Sequence, residues 1–326
     1  MSARAWGAFA TVSLLWGVPY LFIKVAVDDG VPPVFLAWVR VVLGAAVLLG
    51  LSWRAGVLPR LHGRWRWLVL FAVAEICIPF PLIAAGERHV DSSLAAIIIA
   101  SVPLLIAVLA LRFDHSERPD RKRFAGLVIG LSGVVALMGV DVAGRASELL
   151  GALAVLVAAF GYAVGPMVLK NKLADLDPRA SMGVSLAIAS VILTPAAAVD
   201  HPTAMPSLAA TGSLLALGLF CTAAAFVFYG ILITEVGAGR GLVITYINPV
   251  VAVGLGVAIL GERPGAGAIA GLLLILAGSW LSTDGRIPPG LAAILARVGR
   301  RGMVRAHGRT NEVPTGDLLL GRSEHL

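Results

Sequence analysis

Stretches of about 20 consecutive apolar residues recur along the whole of this chain. No other feature constrains a fold so tightly, because an α-helix of that length spans the hydrocarbon core of a bilayer. Such runs fall at about 6–27, 33–52, 67–86, 93–111, 124–140, 150–169, 180–199, 208–233, 241–260 and 265–283. The turns between them collect charge and turn formers, as in Asp28-Asp29-Gly30, Arg54 to Arg66, Glu87 to Asp91, Arg112 to Arg123 and Asp175 to Pro178. The expected fold class is an all-α integral membrane protein with ten transmembrane helices, since backbone polar groups in hydrocarbon must be satisfied within the helix. Composition closes off the alternatives. Apolar residues make up 58% of the 326 and charged residues 14%, where a soluble domain carries roughly 45–50% and about 25%. A soluble enzyme, a DNA-binding protein and a secreted disulfide scaffold are thereby excluded. Cys77 and Cys221 lie inside apolar runs and read as small buried hydrophobes. The first run reads as a retained helix rather than a signal peptide, because it is long, contains Trp16 and Pro19 and lacks a small-residue cleavage site.

The net charge of +7 could belong to a nucleic-acid binder, so its placement matters. With the N-terminus cytoplasmic and the spans alternating, inner segments hold 21 of the 26 Lys and Arg; outer segments hold only Lys24, Arg88, Arg145 and Arg263. Short loops rich in Lys and Arg stay on the cytoplasmic side, so both termini are expected there. The basic charge is an orientation signal and no nucleic-acid partner is implied. Arg outnumbers Lys by 22 to 4. Together with high Ala and Gly, this points to a GC-rich bacterium and therefore to its inner (plasma) membrane. Residues 284–326, rich in Arg, Gly and Pro, form a basic cytoplasmic tail with too little apolar surface to fold alone. Leu291, Ile294, Leu295 and Val298 beside Arg297, Arg300, Arg301 and Arg305 equally allow a short amphipathic helix on the inner leaflet.

The two halves of the sequence share a register. At an offset of 146, Trp16 aligns with Tyr162, Lys24 with Lys170, Pro32 with Pro178, Val90 with Val236 and Pro103 with Pro249. At 145, Glu117-Arg118-Pro119 aligns with Glu262-Arg263-Pro264, and Gly126 and Gly133 with Gly271 and Gly278. Each repeat holds five spans, an odd number, so the second inserts upside down. Inverted repeats are a recurring transporter architecture, with substrate bound near the midplane between the halves. The repeats are expected at 5–141 and 149–283.

Several of these anchors resemble the EamA family of the drug/metabolite transporter superfamily, over about residues 5–283. The resemblance rests on Trp16-Gly17, on Arg40 in WVRVVLGAAVLL, on the Pro249 stretch running into Leu260-Gly261-Glu262-Arg263, and on AGLLLILAG from Ala270 to Gly278. It implies ten helices in two five-helix repeats and export of small metabolites, amino acids or drugs. This chain departs from the pattern at Ser116-Glu117 and in a seventh span without an Arg matching Arg40.

Ionisable residues inside spans cost about 2.5–3.5 kcal/mol each on insertion scales and need a reason. Away from their ends, the spans contain two, Arg40 and Glu75. At 1.5 Å per residue they lie about 12 Å and about 16 Å below the same boundary, so a buried pair between neighbouring helices is feasible. Either the two neutralise each other and fix packing, or Glu75 couples proton flow to substrate movement, or Glu75 faces water without a coupling role. Trp16, Tyr162, Thr222, Tyr246 and Asn248 also lie near the centres of their spans and are the candidate cavity lining. Each taken singly also fits ordinary helix packing. An aromatic cavity with one acid suits small amphipathic or cationic solutes.

Pro79, Pro81, Pro103 and Pro249 remove helix hydrogen bonds and are the hinge candidates, static bends being the alternative. Gly126-x3-Gly130 and Gly267-x3-Gly271 allow close helix contact, within the chain or across a homodimer. The turns Glu117-Arg118 and Glu262-Arg263 read as helix-start and interface features. No nucleophile elbow, P-loop, HExxH or metal-ligand spacing occurs, so no enzyme, cofactor or metal is implied, and transport energy must come from a proton, ion or solute gradient. The reading is a secondary transporter of a small-molecule substrate, working as an exporter by alternating access. A non-transporting membrane scaffold or sensor would need no midplane polar set, and a lipid flippase would need a groove open sideways to lipid.

Overall fold

The computed structural model describes residues 2–113, 121–138, 145–236 and 244–282, and among these every regular element is a helix. Seven stretches are long and apolar enough to cross a membrane: Ala3–Asp28, Pro33–Arg54, Trp65–Gly86, Ser92–Leu109, Ala146–Lys172, Pro178–Val199 and Leu208–Glu235. Three shorter apolar helices, Phe124–Leu137, Ile244–Ile259 and Ala266–Leu281, fall where the fifth, ninth and tenth spans are expected. Large apolar side chains point out of the bundle, Leu150 at 66% exposure, Val191 at 72% and Leu273 at 63%. Water would penalise such a surface, whereas lipid accepts it. The turn Glu117-Arg118 and the tail 284–326 lie outside the described residues.

Several spans are broken, and the breaks have local causes. The first is α1 (Ala3–Gly17) followed by α2 (Pro19–Asp28), parted where Pro19 opens a new helix. Then come α3 (Pro33–Arg54) and α4 (Trp65–Ala72). A π-turn, Val73–Cys77, and α5 (Pro79–Gly86) complete the third span. Pro79 has no N–H to give the carbonyl four residues back and its ring crowds that carbonyl, so the backbone widens. The bond made instead runs from Ile78 N to Val73 O, five residues back (3.0 Å). α6 (Ser92–Ile99) and α7 (Val102–Phe113) are parted at Ala100-Ser101, just before Pro103. They are followed by α8 (Arg121–Leu137), α9 (Ala146–Lys172) and α10 (Pro178–Val199). Asp177 caps α10, accepting from Arg179 N at 2.9 Å. The eighth span is α11 (Leu208–Gly218), a second π-turn at Leu219–Ala224, and α12 (Ala225–Val236). The last two helices are α13 (Ile244–Ile259) and α14 (Ala266–Ser282). The two π-turns begin 146 positions apart.

Packing is largely between helices distant in sequence. α3 lies along α10, α8 along α14, α5 along α9, α1 along α12 and α13, and α6 against α13. The α8–α14 seam is the closest, because a Cβ at Gly278 would collide with the backbone of Gly130 and of Gly126, and one at Gly133 with the carbonyl of Gly271. These small-residue faces are therefore covered within the chain. Two large apolar clusters fill the interior, and Tyr162 packs against both.

Candidate functional site

Arg40 projects from α3 and is 7% exposed. Its Nε donates to Thr222 Oγ1 at 2.9 Å, and Thr222, in the second π-turn, donates in turn to Leu217 O of α11 at 2.8 Å. The guanidinium carbon sits 3.9 Å from the centre of the Phe80 ring, a desolvated cation–π contact. Tyr162, Cys221, Tyr20 and Glu87 all lie within electrostatic range of Arg40. Its two terminal nitrogens make no hydrogen bond among the described residues, so the fork that recognises carboxylates is unused by the protein.

Glu75 stands in the first π-turn and is partly exposed, but Oε2 is buried and has no hydrogen-bond partner among the described residues. Space for it is made by α9, where a Cβ at Gly165 would collide with Oε2. One turn earlier, a Cβ at Gly161 would meet Ala74 O and the Pro79 ring, so two glycines seat the widened turn. Tyr162, between them, and Tyr229 on α12 lie within electrostatic range of Glu75. The Arg40–Glu75 pair, one of the alternatives the sequence leaves open, is not formed among the described residues. Arg40 is engaged by the eighth span and Glu75 by the sixth, and Tyr162 lies within range of both. Residue counting brought the two charges to overlapping depths, but each is seated against a different helix, Arg40 on the second π-turn and Glu75 on α9.

The remaining candidates divide. Trp16 joins an aromatic group with Phe226 (centroids 5.5 Å apart) and Tyr229 (4.9 Å), linking it to the Glu75 side through Tyr229. Thr222 is the partner of Arg40. Asn248, with its amide oriented to suit its neighbours, donates to Ser13 O (3.2 Å) and Ile244 O (3.0 Å), bridging α13 to α1. Tyr246 donates to Ser279 O at 3.1 Å, tying α13 to α14. Pro79 follows the first π-turn and Pro81 lies in the opening turn of α5. Pro103 lies one residue inside α7, just after the break, whereas the helix continues through Pro249.

Sequence reasoning passed over Tyr20, Phe80 and Tyr229, and also Glu87. The signal for the first three was present, since each is an aromatic on a span already holding a candidate. Glu87 was placed among turn residues, yet it is 0% exposed and neither carboxylate oxygen has a hydrogen-bond partner among the described residues. Close by, Glu262 accepts from Ser92 N (2.8 Å), from Ser93 N (3.0 Å) and from Ser93 Oγ, capping α6 from the distant chain.

A helical bundle with lipid-facing apolar surface and an interior charge set drawn from distant spans is the architecture of a membrane carrier. The family is specific: the chain belongs to the EamA-like transporter family, whose profile matches residues 5–139 and again 149–283. Its members are transporters rather than enzymes. The chain is 29% identical to the uncharacterized inner membrane transporter YedA of Escherichia coli K12, over 78% of this chain and 83% of that one. It is 25% identical to a probable amino-acid metabolite efflux pump of Salmonella typhimurium, over 84% and 93%. A solved crystal structure 20% identical superposes with a TM-score of 0.61, covering 87% of this chain and 98% of the other, a likeness of fold.

Proposed function

We propose that this protein is a gradient-driven secondary transporter that exports small metabolites, amino acids or drugs across a bacterial inner membrane by alternating access. One observation carries the reading. Arg40 and Glu75 sit in the interior, each seated against a span from the other half of the chain, at π-turns 146 positions apart. A static scaffold gains nothing from two buried charges kept apart, whereas a carrier gains a carboxylate and a guanidinium free to meet a solute. Ten spans in two oppositely inserted repeats, 5–141 and 149–283, both termini cytoplasmic and the tail 284–326 basic, complete the architecture. Support comes from the doubled family match, from the equal spacing of the π-turns, and from helix pairs that join equivalent spans, α3 with α10 and α8 with α14.

In this reading Arg40, Tyr162 and Tyr229 receive the polar part of the solute, Trp16 and Phe80 its apolar body, and Glu75 the coupling proton or a solute cation. The breaks beside Pro79 and Pro103 are the hinges. The substrate is named by comparing metabolites of cells lacking and overproducing the protein: a solute retained in the first and released by the second is the cargo. With that solute in proteoliposomes, Glu75→Gln should remove the dependence of flux on the pH gradient. Flux from this variant that followed the gradient as the wild type does would end the role of Glu75. No solute differing between the two strains, with no flux in vesicles, would favour a scaffold.

A further inference from the structure

One end of the bundle holds a carboxylate that the transport reading does not use. Glu87 follows the last turn of α5, is wholly buried, and has no hydrogen-bond partner on either oxygen among the described residues. Lys24 on α2 does not satisfy it, because its Nζ donates to the main-chain carbonyl of Glu87 (2.8 Å) and pairs with Asp28 Oδ1 (3.1 Å). A buried carboxylate without donors favours its neutral form. The charged and titratable groups facing it are Lys24, Asp28 and Tyr20 from α2, Arg40 from α3, and Glu262 from the segment after α13. Arg88, His89 and Asp91 share its own turn.

Glu262 is the second observation. Its carboxylate sits on the first N–H groups of α6, at Ser92 and Ser93, and so ties the second-half chain to the segment that carries Glu87. Closing this clasp brings two carboxylates within electrostatic range of each other. The cost of that approach vanishes when one of them is protonated.

We propose that Glu87 is a proton-binding site whose occupancy holds this end of the bundle closed by letting Glu262 settle on the start of α6. The proposal rests on the transport reading for its purpose, since a carrier must open and close each end in turn. The proton comes from water on the open side and returns to it: an O–H bond forms at Glu87 as the end closes and breaks as water enters. Ionised, Glu87 and Glu262 repel and the clasp parts. By linkage, acid favours the state that holds the proton more tightly, here the closed one. Burial, the largest influence, raises the affinity of the Glu87 carboxyl for its proton; Lys24 opposes this, Glu262 and Asp28 add to it, and Arg40 opposes it.

The test is a distance measured between spin labels at His89→Cys and Arg263→Cys, with Cys77 and Cys221 replaced by alanine in the full-length protein. Raising pH from about 5 to about 9, the range buried glutamates span, should shift the distribution to longer distances. Glu87→Gln should show the short distance at every pH. A parent protein with no pH response, or a Gln variant that responds as the parent does, overturns the proposal. Should the Gln variant fail to fold, Glu87→Asp carries the test: its midpoint must move from the parent's, and an unchanged midpoint is equally fatal. Solute flux in vesicles is read separately. Opening governed by Glu87 without flux sinks the transport reading alone, and flux without such opening sinks this site alone.

Discussion

Arg40 shows how a buried charge is held without a counter-ion. Thr222 takes one donor, the Phe80 face takes the cation, and the terminal nitrogens remain open among the described residues. Removing only the hydroxyl, as in Thr222→Val, leaves Nε unpartnered in the interior. The expected loss is about 1–3 kcal/mol, the usual penalty for an orphaned buried donor, read as a lower unfolding midpoint in detergent. Thr222→Ser keeps the acceptor and should unfold near the wild-type midpoint. Glu75 depends on the missing side chain of Gly165. Gly165→Ala should therefore displace the carboxylate and weaken solute binding more than it weakens the fold, a difference visible as a changed binding constant beside a nearly unchanged midpoint. Both charges were legible in the sequence because apolar runs make any ionisable residue conspicuous. Their separation was not, since residue count fixes depth along a helix axis but says nothing of the direction in which the side chain leaves it.

At the scale of helices, the π-turns tell the same story twice. Glu75 occupies the first, and the residue 146 positions later in the second is Cys221; the position 146 beyond Arg40 is Leu186. Arg40 on α3 faces the second π-turn, and α10, which carries Leu186, packs on the first. Each charge therefore lacks the partner that exact repetition would have given it. Leu186→Arg should supply that partner to Glu75. Its unfolding midpoint should fall much further when combined with Glu75→Gln than with Glu75 present, a coupling that a double-mutant cycle measures, while solute flux is lost in both. Proline breaks were readable at Pro79, but the second π-turn has no proline to announce it and the helix runs on through Pro249. Periodicity reports apolar faces rather than backbone pitch. The α8–α14 seam was foreshadowed by its glycine spacing. There Gly278→Ala would drive a Cβ into the Gly130 backbone, which cannot rotate away, with an expected cost of about 1–3 kcal/mol, again read from the unfolding midpoint.

For the whole molecule the decisive property is which way each half faces. The loop from Arg112 to Arg123 is strongly basic, while its counterpart around Glu262 carries only Arg263. If the repeats insert oppositely, these equivalent turns lie on opposite sides of the membrane, which parallel repeats could not achieve. Single cysteines at the equivalent positions Arg118 and Arg263, introduced without Cys77 and Cys221, separate the alternatives. In intact cells a membrane-impermeant thiol reagent should modify the cysteine at 263 and spare the one at 118 until the membrane is opened. Equal labelling of the two before lysis would refute the inverted arrangement, and the reverse pattern would place the N-terminus outside. The result also fixes the side reached by Glu87 and Glu262, which share an end of the bundle with Arg263. With that end outward, protons drawn from outside would close it behind a departing solute and return outside when it reopens, so Glu87 times the outer gate while the coupling proton is left to Glu75.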